Sequence, residues 1–440
     1  MPPSPKALPA ADGIIGLGIL RELARTRSPL VALELMQQHV GNLFQINAPG
    51  FHPAVMAGPE CNRHLLLTNR QEYLWRTESD PVTKLLRRGV LVLDGEEHDR
   101  VRGCMEPTML RRPTLAHIDA MVHSTDFIVA QWQDGGVVDM LVEMRKVALL
   151  ILIGALYGVD FTRDLERMWR PILRAIAFIS PGLWIMWPKA PRPGYGDDVR
   201  AVDAFLYDMI RTRRAERNPP DDMLTRLVQT PEMDDDLVRD QLLTMLIAGH
   251  DTSTALFAWM LYLLGEHPDS LRRVQAEVAE VVGDAPPVSD QLGKLHYLDL
   301  VMRETLRLYP PIHIGNRKAA HDTELNGYTI PAGNRVMYSI YLSHRDPAQW
   351  EDPARFDPER FERLDKGNIP AFAYVPFGGG PRNCIGATFA QIEAKVVMSR
   401  LFQQVNLVLE PNQKIHPHMG ATLEPWPGVM MRVRKKRGIS

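Results

Sequence analysis

Apolar residues recur at helical spacing through the middle of the chain, from about Arg102 to Leu308, which predicts a mostly helical region. Breaks rich in proline divide this region at 180–182, 188–191 and 218–220. A further amphipathic helix is predicted from Ala387 to Phe402, because apolar side chains return along one face of that stretch. The pattern is therefore that of a mainly α-helical protein.

Short apolar runs bounded by Gly and Pro predict strands elsewhere. Leu43–Ile46 and Ala54–Met56 have this form, and Asn326–Gly333 is typical of a turn between two strands. The charged, proline-containing stretch 349–370 predicts an ordered meander with little regular structure. Since neither an internal repeat nor a low-complexity linker is evident, we expect one large helical lobe with a smaller β-rich lobe.

Composition narrows the class of protein. The formal net charge of −2 gives no general attraction to nucleic acid. Three cysteines among 440 residues argue against a disulfide framework and suit a reducing compartment. The apolar run Gly13–Leu20 is too short to span a bilayer, and the residues before it lack the basic start of a secretory signal. We therefore expect a cytoplasmic enzyme without a transmembrane anchor.

One cysteine stands in a setting that suits a metal-binding thiolate. Cys384 follows a glycine-rich stretch with a nearby cation, Arg382, and it directly precedes the predicted helix at Ala387. A helix N-terminus and a basic group both favour the thiolate, which is the form that binds metals. A zinc site would need several close Cys or His ligands, so it is disfavoured. The alternative is a buried free cysteine after a chance turn.

A polar interruption in the long helical pattern between Asp234 and Gly265 predicts a second functional element. Ala248-Gly249-His250-Asp251-Thr252-Ser253 interrupts the apolar sequence there. On a helix Thr244, Ala248 and Thr252 share a face, with Ile247 beside them. Asp251 and Thr252 could relay protons. The alternative is a threonine bonded back into its own helix and an aspartate on a solvated face.

The complete loop pattern resembles the haem-binding loop of the cytochrome P450 family. Its members here are Phe377, Gly380, Arg382, Cys384 and Gly386, at the family's spacing. The resemblance extends from about Gly41 to the C-terminus, which leaves 1–40 as an N-terminal segment and makes 41–440 a single domain. It implies the cytochrome P450 fold and a b-type haem, with Cys384 as the proximal iron ligand.

The resemblance also assigns roles to residues outside the loop. Asp251 becomes the acid that delivers protons, and Thr252 the hydroxyl that orients the activated oxygen. A buried triad, joined to a Pro-Glu-Arg-Phe stretch, would support folding and haem retention. The triad consists of Glu304, Arg307 and Arg360. The remaining predicted contacts to haem are His98, Arg102, Arg317 and Arg382 for the propionates, and Phe377, Ala248, Gly249 and Gly386 around the ring.

The implied activity is a monooxygenase that inserts one oxygen atom from O2 into a lipophilic small molecule. The expected product is a hydroxylated or epoxidised fatty acid, terpenoid or retinoid-like compound. The 182–187 stretch is expected in an access-channel lid, although ordinary core packing is an equal alternative. The predicted pocket residues are Thr244, Ile247, Ile312, His313, Ile314 and Thr422.

The expected electron source is external. Only 56 residues follow Cys384, too few for a flavin or nicotinamide domain. We therefore expect a ferredoxin and its reductase, or a separate flavoprotein reductase, to dock near Arg102, Arg111 and Arg112. Two alternatives remain: a peroxide-driven haem-thiolate hydroxylase, and a haem sensor or electron carrier without turnover.

Overall fold

The computed structural model describes residues 6–180, 194–364 and 369–436. The predicted lid, 182–187, lies outside the described residues. Within them the chain forms many helices and several small sheets. The helices are Gly13–Thr26 (α1), Pro29–Val40 (α2), Gly58–Arg63 (α3), Pro81–Leu86 (α4), Gly95–Met105 (α5), Arg111–Leu115 (α6), Ile118–Ala130 (α7), Met140–Tyr157 (α8), Leu165–Ala177 (α9), Gly196–Ala215 (α10), Met223–Gln229 (α11), Asp235–Glu266 (α12), Pro268–Val281 (α13), Ser289–Leu292 (α14), His296–Leu308 (α15), Ile340–Ser343 (α16), Glu359–Leu364 (α17) and Ala387–Gln404 (α18).

The strands form a smaller lobe and several outlying pairs. They are Lys6–Ala7 (β1), Leu43–Gln45 (β2), Ala54–Met56 (β3), Tyr73–Leu74 (β4), Val137–Asp139 (β5), Ile314–Ala319 (β6), Thr323–Leu325 (β7), Tyr328–Ile330 (β8), Arg335–Ser339 (β9), Val405–Leu409 (β10), His416–Met419 (β11), Leu423–Trp426 (β12) and Met430–Lys435 (β13). The largest sheet has the order β2-β3-β9-β6-β4, and β11 pairs with β12 as an antiparallel hairpin. The prediction of a mainly helical fold with a smaller β-rich lobe is confirmed.

Helix α12 forms the centre of the helical lobe. Asp234 caps it, because its side chain accepts a hydrogen bond from the Leu237 N–H at 2.8 Å. Most residues of α12 are buried, and α8 and α18 both pack against it. A helix with apolar residues on all sides needs such a central position. The polar stretch Ala248–Ser253 lies within α12, which continues through it without a break.

The N-terminal residues join the β-rich lobe. Strand β1 pairs in parallel with β8, and the buried side chains of α2 belong to a cluster with Phe44 and Tyr341. The division at residue 40 stays a prediction. Among the described residues, none of the helices is long and apolar enough to cross a membrane.

A buried ion pair joins α15 to the meander that precedes Cys384. Arg307 donates two hydrogen bonds to the Glu304 carboxylate, at 2.7 and 2.8 Å, and Arg360 adds a third at 3.4 Å. All three side chains are nearly inaccessible to solvent. The two guanidinium groups also donate to backbone carbonyls of His344, Pro353, Glu351, Asp352 and Arg355. The predicted triad is thus present, and it orders a stretch of chain that has little regular structure.

We expect Glu304→Gln to lower the free energy of unfolding by about 3–5 kcal/mol, because it leaves two buried guanidinium groups without their countercharge. Urea denaturation would measure the loss. The matched control is Asp269→Asn, which removes an exposed pair with Arg272 at the same i,i+3 spacing and should change stability by less than about 1 kcal/mol. Equal effects of the two substitutions would contradict the structural role of the triad.

Candidate functional site

The Cys384 loop is a tight turn fixed by backbone hydrogen bonds. The Cys384 N–H donates to the Phe377 carbonyl at 2.8 Å. Gly378 and Gly380 have φ values of 72° and 66°, in the left-handed region that favours glycine. A Cβ on Gly380 would also overlap the Leu66 carbonyl oxygen. The glycines therefore serve the turn and its contact with a neighbouring backbone, and they hold Cys384 just before α18.

The Cys384 side chain remains exposed, although protein surrounds the recess in which it lies. That surrounding protein raises the pKa of the thiol by desolvation. The Gly386 N–H and the charge of Arg102 act in the opposite direction. Arg102 is held in place by a hydrogen bond from its Nη1 to the Asn383 carbonyl at 2.9 Å. The loop thus keeps its sulfur accessible and has a donor and a cation that favour the thiolate.

Two arginines, Arg317 buried and Arg382 half-buried, meet at Trp75, beside the Cys384 loop. The Arg317 guanidinium lies 3.0 Å from the centre of the Trp75 ring, and that of Arg382 lies 4.5 Å from it. Desolvation lowers the pKa of each to about 10, and the charge of Arg317 contributes to the shift of Arg382. Arg382 pairs with Asp94, whereas Arg317 Nη2 is buried without a hydrogen-bond partner. Such a cluster suits an anionic ligand.

His98 and Arg102 were predicted to face one way on a helix near the cofactor. Both lie on α5 beside Arg382, whose charge helps lower the pKa of His98, although burial contributes more. His98 Nδ1 lies 2.8 Å from Asp99 Oδ1. The four predicted propionate residues therefore belong to one neighbourhood, drawn from α5, β6 and the cysteine loop.

The predicted ring contacts Ala248 and Gly249 and the predicted proton-relay residues lie on one turn of α12. Ala248 is exposed although most residues on either side of it along the helix are buried, and Gly249 and Thr252 are half-buried. An opening therefore lies beside this turn. Thr252 Oγ1 donates to the Ala248 carbonyl at 2.6 Å. The alternative of a threonine bonded back into its own helix therefore describes this hydrogen bond correctly. The hydroxyl can still accept hydrogen bonds from a ligand in the opening.

Asp251 does not lie on a solvated face. Its carboxylate is buried and accepts a hydrogen bond from Thr422 Oγ1 at 2.9 Å. Thr422 was predicted to line the substrate pocket, but its hydroxyl is bonded to Asp251. This contact could not be predicted from local spacing, because 171 positions separate the two residues.

The remaining predicted pocket residues differ in exposure. Ile312 is 38% exposed and Ile314 is half-buried, whereas Ile247 and His313 are buried. Thr244 packs so closely against Gly89 that a Cβ on that glycine would overlap its hydroxyl. Of this set, Ile312 is the apolar side chain best placed to meet a ligand.

Gly249 was predicted to let α12 approach a flat cofactor. In the structure, a Cβ added to Gly249 would overlap Leu152 Cδ1 on α8. The close packing of α8 on α12 is therefore a sufficient reason for glycine at this position. Its contact with the cofactor stays a prediction.

These residues fit a haem with a thiolate ligand. An accessible cysteine follows a glycine turn, and a buried guanidinium nitrogen nearby has no partner. Cys384 would hold the iron, and Arg317 and Arg382 would bind the propionates. Sequence reasoning missed Trp75 and Asp94, which position these arginines. Asp94 accepts hydrogen bonds from the backbone N–H groups of Trp75 and Arg76, both at 3.0 Å. Because Asp94 binds backbone groups 18 and 19 positions away, no short sequence motif reveals its role.

Comparison with known proteins identifies the family. The family model described as "Cytochrome P450" matches residues 2–434. A cyclooctat-9-en-7-ol 5-monooxygenase from Streptomyces melanosporofaciens is 30% identical, over 86% of this chain and 85% of that protein. A pentalenene oxygenase from Streptomyces avermitilis is 28% identical, over 90% and 91%. Cytochrome P450 139 of Mycobacterium tuberculosis is 28% identical, over 92% and 97%.

Gly249→Ala should lower the free energy of unfolding by about 1–3 kcal/mol, because the new methyl group overpacks the α8–α12 contact. A double-mutant cycle with Leu152→Ala, followed by urea denaturation, tests the cause. If helix packing is the reason for the glycine, the two substitutions should show a favourable coupling of about 0.5–3 kcal/mol. Strict additivity would instead indicate that Leu152 is not what requires glycine here.

Proposed function

Because this chain belongs to the cytochrome P450 family and is a monooxygenase, we propose that it inserts one oxygen atom from O2 into a lipophilic small molecule. The observation that carries the choice of substrate is the apolar opening beside α12. Ala248 is exposed in the middle of a buried helix, and Ile312 is exposed at the start of the segment that leads into β6. Apolar walls with few polar groups suit a lipophilic ligand.

Haem, when bound, supplies the iron at which O2 is activated, and a thiolate ligand increases the electron density on that iron. We propose that the haem is of the b type and that Cys384 is its proximal ligand. Arg317 and Arg382 neutralise the propionates, and Arg102 holds the loop through Asn383. His98 completes the charged end of the site. Phe377, Ala248, Gly249 and Gly386 are the proposed contacts of the ring.

The distal residues divide the handling of protons between them. Asp251 is buried and has an oxygen bound to Thr422, so it stays oriented while it gives and regains a proton. Thr252 lies one position further along α12 and is half-buried beside the exposed Ala248. We propose that Asp251 supplies the protons that the reaction consumes, and that the Thr252 hydroxyl directs them toward the opening beside Ala248.

Among the three substrate classes predicted, we favour the terpenoid class. Two of the relatives are named for pentalenene and for cyclooctat-9-en-7-ol. The endings of these names denote an alkene and an unsaturated alcohol, which are apolar molecules with at most one polar group. We propose that the exposed side chains of Ala248 and Ile312 line one opening of the same apolar character.

The proposed electron donors are a ferredoxin and its reductase. The exposed Arg111 and Arg112 lie on α6, which packs against α18, the helix that follows Cys384. Together with Arg102 they offer positive charge to an acidic partner, which would accelerate its association. Because all three cysteines are free, we place the reaction in the reducing cytoplasm.

A peroxide-driven hydroxylase and a haem sensor or carrier are the two rivals. The buried acid Asp251, fixed beside Thr252, favours O2 as the oxidant over either rival. An enzyme that accepts peroxide directly needs no such acid to complete O2 reduction, and a carrier needs no apolar opening for a substrate.

A substrate screen would test the proposal. The haem-loaded protein should show a low-to-high-spin shift with some terpenoids, and it should oxidise them with NADH, a ferredoxin and its reductase. Its reduced carbon monoxide complex should have the Soret band of thiolate ligation, and Cys384→Ser should abolish that band. Product from hydrogen peroxide but not from NADH would favour the first rival. Intact thiolate ligation without any product would favour the second.

Thr252→Ala should lower the product formed per NADH consumed by about tenfold, because electrons would then leave as reduced oxygen. The matched control is Thr254→Ala, since Thr254 lies on the same helix and makes the same bond to the carbonyl four residues earlier. The control should leave this ratio close to that of the wild type. An unchanged ratio in Thr252→Ala would remove its proposed role.

A further inference from the structure

The β11–β12 hairpin brings a second carboxylate close to Asp251. In its register His418 lies opposite Glu424, and residues opposite each other on antiparallel strands project to the same face. Thr422, two positions before Glu424, donates to Asp251 at 2.9 Å. The hairpin thus extends a set of polar groups from Asp251 toward the protein surface.

Glu424 lies between the buried acid and the solvent. Its side chain is 17% exposed and forms an ion pair with Arg145 of α8. Arg145 is also close to α12, because its carbonyl oxygen lies 3.2 Å from His250 Nε2. The Nε of Arg145 is buried without a hydrogen-bond partner, so the guanidinium is not fully used by Glu424.

The charges around Glu424 are not balanced. Arg145 is the cation that faces it, while Asp251 and Asp139 add negative charge. Burial is the main cause that raises the pKa of Glu424, Arg145 opposes the shift, and the two aspartates add to it. Burial holds the pKa of His250 at about 4 and also lowers that of His418, so neither histidine supplies a second positive charge at neutral pH.

From this arrangement we propose that Glu424 is the second acid of the site: it takes up protons from solvent and passes them to Asp251 across the Thr422 hydroxyl. The inference rests on the proposed function, in which Asp251 supplies protons to the reaction. It adds the residue that reloads Asp251 after each transfer.

The transfer balances as an exchange of protons without any redox step. Glu424 gives its proton to Thr422 Oγ1, directly or through a water molecule, while the Thr422 hydroxyl gives its own proton to the Asp251 carboxylate. Glu424 is left as a carboxylate, which the Arg145 guanidinium stabilises until solvent protonates it again. A hydroxyl suits this position because it donates one hydrogen bond and accepts others.

The first test needs no turnover. In the haem-loaded protein, infrared spectroscopy over a pH series should find a protonated carboxyl band that disappears in Glu424→Gln and titrates above the usual range of glutamate, about 4.3. Asp251→Asn should move its midpoint to lower pH, since a neighbouring negative charge is removed. Glu410→Gln, which removes a carboxylate paired with Arg432 elsewhere, should leave the band unchanged. An unchanged midpoint in Asp251→Asn would overturn the inference.

Stability should depend on pH in the same way. A glutamate with a raised pKa holds its proton more tightly in the folded state, so its contribution is present at low pH and declines as pH rises through the folded pKa. Glu424→Gln should remove that part of the pH dependence, as measured by denaturation at several pH values. If the free energy of unfolding depended on pH in the same way for Glu424→Gln and the wild type, Glu424 would not hold a proton in the folded state as proposed.

The second test follows the protons during turnover. Below the Glu424 midpoint, where the wild type carries the proton that it donates, Glu424→Gln and Thr422→Val should each slow the proton-dependent step, by up to about 100-fold, and lower the product per NADH. Thr422→Val keeps both carboxylates, so its infrared band should remain. Wild-type coupling in both variants would overturn the relay while leaving the proposed function intact. If the wild type itself oxidises nothing, the proposed function fails, and the infrared result still decides whether the two acids interact.

Discussion

The packing of α12 between its neighbours is the constraint on which the candidate site depends. Successive residues of a helix point about 100° apart, so one turn in a crowded interior must meet several different surroundings. Ala248 borders the opening, Gly249 lies against Leu152 of α8, and Asp251 reaches the β11–β12 hairpin. A rotation of α12 that improved one of these contacts would spoil the others. The close contact at Gly249 therefore helps to aim Asp251 and Thr252.

Buried charge is arranged in two different ways in this protein. Around Glu304, two guanidinium groups share one carboxylate, and backbone carbonyls accept their remaining hydrogens, so the group is satisfied internally. Around Trp75, Arg317 has a buried nitrogen without a partner. An internally satisfied cluster stabilises the chain alone, whereas an unsatisfied one is completed by an anion. The second arrangement is the one expected of a binding site.

The sequence predicted those features that depend on local spacing. Helix α18 was expected at Ala387–Phe402 and extends to Gln404, and the pairing of Glu304 with Arg307 follows from their i,i+3 positions. The spacing also predicted that Cys384 follows a glycine-rich turn and directly precedes a helix. Contacts between distant segments were not predictable in this way, because they depend on how the lobes pack. Examples are the bond from Thr422 to Asp251 and the stacking of Arg317 on Trp75.

The polar stretch Ala248–Ser253 shows what the helical pattern left open. The periodicity placed these residues on a helix, but it did not predict the partners that their polar side chains have in the folded chain. Ser253, for example, donates to the buried Glu393 of α18 at 2.6 Å. Polarity in a central helix thus indicates neighbours to be satisfied more than a break in the backbone.

The β11–β12 hairpin connects the residues proposed to handle protons with a residue proposed to meet the substrate. The Leu423 N–H donates to the Pro311 carbonyl at 2.8 Å, and its own carbonyl accepts from Trp259 Nε1 of α12 at 2.9 Å. Pro311 directly precedes the exposed Ile312, which is proposed to meet the substrate, and Leu423 directly follows Thr422. A ligand that moves Ile312 would therefore also move Leu423. The residue before Leu423 is Thr422, which holds Asp251. Rigid attachment at both ends would let substrate binding adjust the orientation of the acid.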